Sequence, residues 1–120
     1  MILAIDTSTQ WIGLALYDGA QMLYSKVWRT SRRHTVELVP AIQASLTESN
    51  VDLAQLKAVA VALGPGSFTS LRIGLAVAKG IALAQRIPLI GVPSLDITAN
   101  GIPLADHPLL AVLKAGRGRL

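Results

Sequence analysis

The chain has no cysteine, which excludes a disulfide framework and any thiolate metal site. It has only two histidines, His34 and His107, far apart in sequence. Acidic residues are few: seven Asp and Glu stand against eleven Lys and Arg, a net charge of +4. Aromatic residues make up 4% of the chain. Basic residues gather at Arg29, Arg32 and Arg33 and again at Lys114, Arg117 and Arg119. Such patches can attract nucleic acid or simply be solvated. Only Trp28 lies near them in sequence, so base stacking is not indicated. No apolar run is long enough to span a bilayer, because Arg72 and Lys79 interrupt the longest. The opening MILAIDTST has no basic n-region and meets Asp6 early, so it does not read as a signal peptide, and a cytoplasmic location is expected.

What is present is aliphatic. Of 120 residues, 52% are hydrophobic, ample for the core of one ordinary domain. The chain is organised around AVAVALGPGSFTSLRIGLAVAKGIALAQR, from Ala58 to Arg86. Ala58 to Leu63 has the continuous apolar character of a strand buried on both faces. Gly64-Pro65-Gly66 breaks it with a turn. Ser67 is placed as the N-cap of a long helix, its oxygen near the free N–H groups of the first turn. A strand, a glycine turn and a hydroxyl-rich helix start form either an anion site or a plain capped helix. Within the helix, Gly74, Ala78 and Ala82 make one row of small residues, and Ala76, Gly80 and Ala84 make another. Each row permits close approach of a neighbour. Two glycines inside a helix cost roughly 1 kcal/mol each relative to alanine, so tight packing against the sheet, a partner, or one of each is expected.

Taken in order, Met1–Ile5 reads as a buried strand ending at Asp6, followed by the polar turn Thr7-Ser8-Thr9. Trp11–Tyr17 and Gln21–Trp28 read as strands joined by the Asp18-Gly19 hairpin signal. A helix over His34–Ser49 is expected from the helical spacing of Val36, Val39, Ile42 and Leu46, with Leu38 beside them and Pro40 kinking it or marking its true first turn. Asn50 stops it. Pro88–Val92 is a fifth strand, Ser94–Asn100 a helix start, and Leu109–Leu113 the beginning of another strand. Three antiparallel strands followed by alternating helix and strand predict an α/β fold: a mixed five-stranded sheet with helices on both faces. That is the ribonuclease-H-like core of the actin, hexokinase and Hsp70 ATPases. In those folds the turn after the first strand reaches nucleotide phosphates; here it is Asp6-Thr7-Ser8-Thr9. Asp6, Ser8, Thr9, Gly66 and Ser67 are therefore the phosphate-site candidates, with a purely structural turn as the alternative, since Ser8 crowds a position where glycine would let phosphate approach.

Several blocks resemble the bacterial TsaB (YeaZ) family: ILAIDTST at 2–9, the histidine-led His34-Thr35-Val36-Glu37-Leu38-Val39-Pro40, GPGSFTSLRIG at 64–74, AKG at 78–80 and IPLIGVPSL at 87–95. Two departures stand out. Ser70 occupies a position where the family usually has glycine, and 113–120 lacks the family's acidic, arginine-containing turn. Family members are about twice this length, so residues 1–120 look like the N-terminal lobe of a two-lobe protein, with the second lobe absent from this chain.

The resemblance implies a role in making threonylcarbamoyladenosine in tRNA. It implies a non-catalytic partner that binds and stabilises the transferase TsaD, recruits the ATPase TsaE with it, and pairs with itself when alone. It also implies that tRNA is met through the complex, that ATP enters only in the complex, and that no membrane is involved. TsaD carries two histidines four residues apart on one helix face, a spacing suited to one metal ion. Aligned on Val92, those positions here hold Ser94 and Thr98, with Asp96 between them, so no metal site is expected. Ser67 lacks the elbow of a hydrolase nucleophile, and no catalytic residue is assigned. The alternative function is an ATP-binding kinase or ATPase lobe of actin type. A sheet covers one stripe of each long helix, and the family is thought to pair through these helices. The partner surface is therefore assigned to His34, Leu38, Ala41 and Ile42 on the first helix and to Arg72, Leu75, Ala76, Lys79 and Gly80 on the second. His34 is also readable as a first-turn residue with no ligand.

Overall fold

A computed structural model describes residues 1–31 and 33–93. The predicted helix at 94–100 and strand at 109–113, together with Arg32, His107, Lys114, Arg117 and Arg119, lie outside them. The described order is β1 (Ile2–Asp6), β2 (Trp11–Tyr17), β3 (Met22–Arg29), α1 (His34–Glu48), β4 (Ala58–Ala62), α2 (Phe68–Gln85) and β5 (Leu89–Val92). The strands form one mixed sheet in the order β3-β2-β1-β4-β5. β1 pairs antiparallel with β2, and β2 with β3; β4 runs parallel to both β1 and β5. This is the predicted α/β architecture, with β3 at an edge as expected.

The register explains the core. Leu3 lies opposite Leu16 and Val59, and Ile5 opposite Leu14 and Val61. Side chains alternate along each strand, so these residues share one face. Leu38 and Ile42 of α1 and Ala78 and Ala82 of α2 join the same buried cluster. Both described helices therefore cover a single face. Helices on both faces were expected; among the described residues no α-helix covers the other one.

α1 differs from its predicted packing. Its buried residues are His34, Leu38, Ile42 and Ser45, while Val36 and Val39 are exposed. The inward face carries Leu38 and Ile42 into the core with Leu46 packed against it, while His34 and Ser45 are buried on the same side. The helix also runs through Pro40, which therefore does not mark the first turn. The end falls where expected. Asn50 takes a left-handed φ of 54°, and Val51 N–H bonds back to the Leu46 carbonyl at 2.9 Å, closing the terminal carbonyls. At the β2–β3 hairpin, Asp18 Oδ1 accepts from the N–H groups of Ala20 and Gln21, both at 2.8 Å. Those two donors hold its carboxyl below the usual range.

α2 settles the question of its two small-residue rows. Ser70, Gly74, Ala78 and Ala82 are buried, whereas Ala76, Gly80 and Ala84 are exposed. A Cβ on Gly74 would collide with the Thr7 hydroxyl, but one on Gly80 would meet nothing within 4 Å among the described residues. Opposite outcomes are expected from the same change. Gly74→Ala should destabilise the fold by about 1–2 kcal/mol, overpacking outweighing the gain in helix propensity. Gly80→Ala should stabilise it by about 0.5–1 kcal/mol. Urea unfolding of the two variants checks both.

Candidate functional site

The turn after β1 and the start of α2 meet. Thr7 and Ser8 are buried, held there by bonds that span the chain. Thr7 Oγ1 donates to the Ser70 carbonyl at 2.7 Å, and Ser67 N–H donates to the Ser8 carbonyl at 2.9 Å. A Cβ on Gly66 would overlap the Ser8 main chain, so glycine is required for this approach. Asp6 Oδ1 accepts from both the Ser8 backbone N–H, at 3.0 Å, and the Ser8 hydroxyl. Thr9 is exposed, its hydroxyl accepting from Trp11 N–H at 3.1 Å.

Four of the five phosphate-site candidates, Asp6, Ser8, Gly66 and Ser67, are thus brought together, with Asp6 Oδ1, both Ser8 donors and the Ser67 N–H bonded among themselves. Ser67 N–H and both Ser8 donors are already paired. Contact between the Gly66 and Ser8 backbones closes the space between the two turns. Ser67 does sit at the N-cap position, but its hydroxyl makes no capping bond to the helix; it accepts from Ser70 Oγ at 3.1 Å instead. The arrangement is a clamp between two loops. Among the described residues no three His, Cys, Asp or Glu side chains come together as a metal site. Ser94, Asp96 and Thr98 lie outside the described residues.

The expected partner surface divides. His34 is 4% exposed and its Nε2 lies 3.0 Å from the Thr9 carbonyl, fixing α1 to the β1–β2 turn. Leu38 and Ile42 are core. These three face the sheet and cannot present to a partner, which corrects their assignment. Ala41 and Leu75 are half-buried, and Arg72, Ala76, Lys79 and Gly80 are exposed. The periodicity argument missed four apolar residues on the outer surfaces: Val36 and Val39 of α1, and Phe68 and Leu83 of α2, the last two 73% and 82% exposed. The Arg72 guanidinium lies over the Phe68 ring, 5.4 Å from its centroid. Phe68 and Leu83 are fifteen residues apart, so the stripe they bound runs about 22 Å along α2.

Comparison with known proteins agrees with this architecture. Residues 28–120 match the family model of TsaD, tRNA N6-adenosine threonylcarbamoyltransferase. The tRNA threonylcarbamoyladenosine biosynthesis protein TsaB of Escherichia coli K12 is 42% identical over 101 residues, covering 83% of this chain and 43% of that protein. TsaB of Bacillus subtilis 168 is 37% identical over 120 residues, 99% of this chain and 52% of the relative. The chain belongs to the TsaB (YeaZ) family. A solved structure of YeaZ from Pseudomonas aeruginosa superposes with a TM-score of 0.80 at 35% identity, over 83% of this chain and 46% of that one. The Holliday-junction protein RuvC of T. thermophilus, at 15% identity and a TM-score of 0.54, shares the fold alone. The chain spans about half the length of the curated TsaB relatives it matches.

The clamp is directly testable. Gly66→Ala should cost about 2 kcal/mol or more, because backbone meets backbone and neither can yield cheaply. Thr7→Val, which keeps the shape and removes one buried hydrogen bond, should cost about 1 kcal/mol. Thermal unfolding would rank them in that order; a Gly66→Ala variant as stable as the parent would show that the two turns are not locked.

Proposed function

We propose that this chain is a non-catalytic partner that binds and stabilises a TsaD-type threonylcarbamoyl transferase during formation of threonylcarbamoyladenosine in tRNA. One observation carries the reading: α2 buries one small-residue row against the sheet and leaves the opposite row in solvent. Gly80 costs helix stability, and among the described residues nothing lies within 4 Å of where its Cβ would stand. Exposed Phe68, Leu83, Val36 and Val39 on the same two helices add an apolar surface that a partner would cover. The partner surface is therefore the outer stripe of α2, with Arg72, Leu75, Ala76, Lys79 and Gly80, joined by the outward residues of α1.

A paralogue sharing the fold would offer a matching pair of helices. In its absence a second copy of this chain would dock through a two-fold, isologous contact. A TsaE-type ATPase would then join the pair, bringing ATP chemistry with it, and the lobe itself would hold no cofactor or metal. The alternative ATP-binding role is disfavoured by the clamp, which spends the candidate phosphate-binding groups internally.

Ala76→Glu places a charge in the middle of the stripe without touching the core. Sedimentation velocity should show loss of pairing with itself and with the TsaD-type partner, while the far-ultraviolet spectrum stays that of the parent. An intact pair in Ala76→Glu would sink the assignment. Gly80→Leu should weaken pairing at least tenfold.

A further inference from the structure

Charge is sorted between the two helices. α1 carries Glu37 and Glu48 and no lysine or arginine, while α2 carries Arg72 and Lys79 and no acid. Glu37 and Glu48 stand three full turns apart, and Arg72 and Lys79 two, so each pair lines one stripe of its helix. Glu48, Arg72 and Lys79 are exposed. Glu37 is half-buried, and its Oε1 is buried without a hydrogen-bond partner. A place in the first helical turn suits a carboxylate, but a buried oxygen with no donor is costly.

The two helices are also aligned. β3 and β4 both run in the direction of β1. α1, leaving β3 for β4, and α2, leaving β4 for β5, therefore run back side by side in one direction. α1 begins at His34, held on the Thr9 carbonyl, and α2 begins just after Ser67, held on the Ser8 carbonyl. Their first residues thus stand at about the same level. Glu37 lies about 4 Å and Glu48 about 21 Å along α1, and Arg72 about 6 Å and Lys79 about 16 Å along α2. A two-fold axis between the helices at the level of Ala76, about 12 Å along α2, lays α1 of each copy antiparallel on α2 of the other. Glu37 then comes within about 3 Å of the level of the partner's Lys79, and Glu48 within about 3 Å of the partner's Arg72. The other two-fold arrangements oppose like charges. α2 on α2 sets Arg72 against Lys79, and α1 on α1 sets Glu37 against Glu48.

We infer that two copies of this chain pair with α1 of each laid antiparallel on α2 of the other, Glu37 meeting the partner's Lys79 and Glu48 the partner's Arg72. The inference rests on the outer helix surface being the pairing face, and it adds which residues fix the orientation of the pair. Exposed ion pairs contribute little affinity, whereas like charges forced together are strongly unfavourable. The charges therefore choose the arrangement, and the small and apolar residues beside them supply the contact.

Sedimentation equilibrium of the intact protein at low salt tests this. Glu37→Lys alone and Lys79→Glu alone should each self-associate at least tenfold more weakly than the parent, because each opposes like charges at two places in its own pair. An equal mixture of the two variants should recover the parental affinity, since every substituted charge then meets its opposite. Glu48→Lys and Arg72→Glu, both at exposed positions, repeat the exchange without touching a buried group and should behave in the same way. Raising the salt to about 0.5 M should narrow all these differences. Single variants that pair as tightly as the parent would overturn the inference. So would mixtures of both exchanges that pair no more tightly than their separate variants. In either case loss of pairing in Ala76→Glu would leave the surface itself standing. A parent that stays monomeric would overturn both.

Discussion

The structure depends on one contact, the locking of the β1 turn against the start of α2. Thr7 reaches up to the Ser70 carbonyl while Ser67 N–H reaches down to Ser8. Both bonds join segments some sixty residues apart, and both demand that a glycine stand opposite, Gly74 for the first and Gly66 for the second. The clamp sets where α2 begins and which of its faces meets the sheet. His34, bonded to Thr9 two residues further along the same turn, places α1 from the same fixed point. One polar turn therefore orients both helices. Asp6 Oδ1, the Ser8 N–H and hydroxyl and the Thr7 hydroxyl are all engaged in holding that turn in place.

Orientation of α2 has a functional consequence. A helix rich in alanine and glycine on two faces can pack closely twice, and the clamp commits one face to the sheet. The opposite face remains smooth, apolar and bordered by Arg72 and Lys79. Interior glycine weakens a helix, so an exposed Gly80 is hard to explain by the stability of the lone chain. It is readily explained by a second helix that must come close.

Much of this could be read in the sequence. The Asp18-Gly19 turn, the alternation in β2 and the apolar run of β4 marked the strands, because each rests on local chemistry. Asn50 stopped α1 where a left-handed residue was needed. The inward face of α1 was not legible. Val36, Val39, Ile42 and Leu46 fit helical spacing as well as His34, Leu38, Ile42 and Ser45 do, and only tertiary packing separates them. For the same reason Leu38 and Ile42 were placed on a partner surface when they belong to the core. The clamp depended on contacts between turns far apart in the chain, which no local pattern encodes.

The central claim is that this protein supports a partner's chemistry and performs none itself. The direct measurement is an omission assay. TsaC-, TsaD- and TsaE-type proteins are combined with ATP, threonine, bicarbonate and unmodified tRNA, and threonylcarbamoyladenosine is quantified with and without this protein. The account predicts that product falls to background on omission and that this protein cannot replace the TsaD-type transferase. Undiminished product without it, or product formed when it stands in for the transferase, would contradict the account.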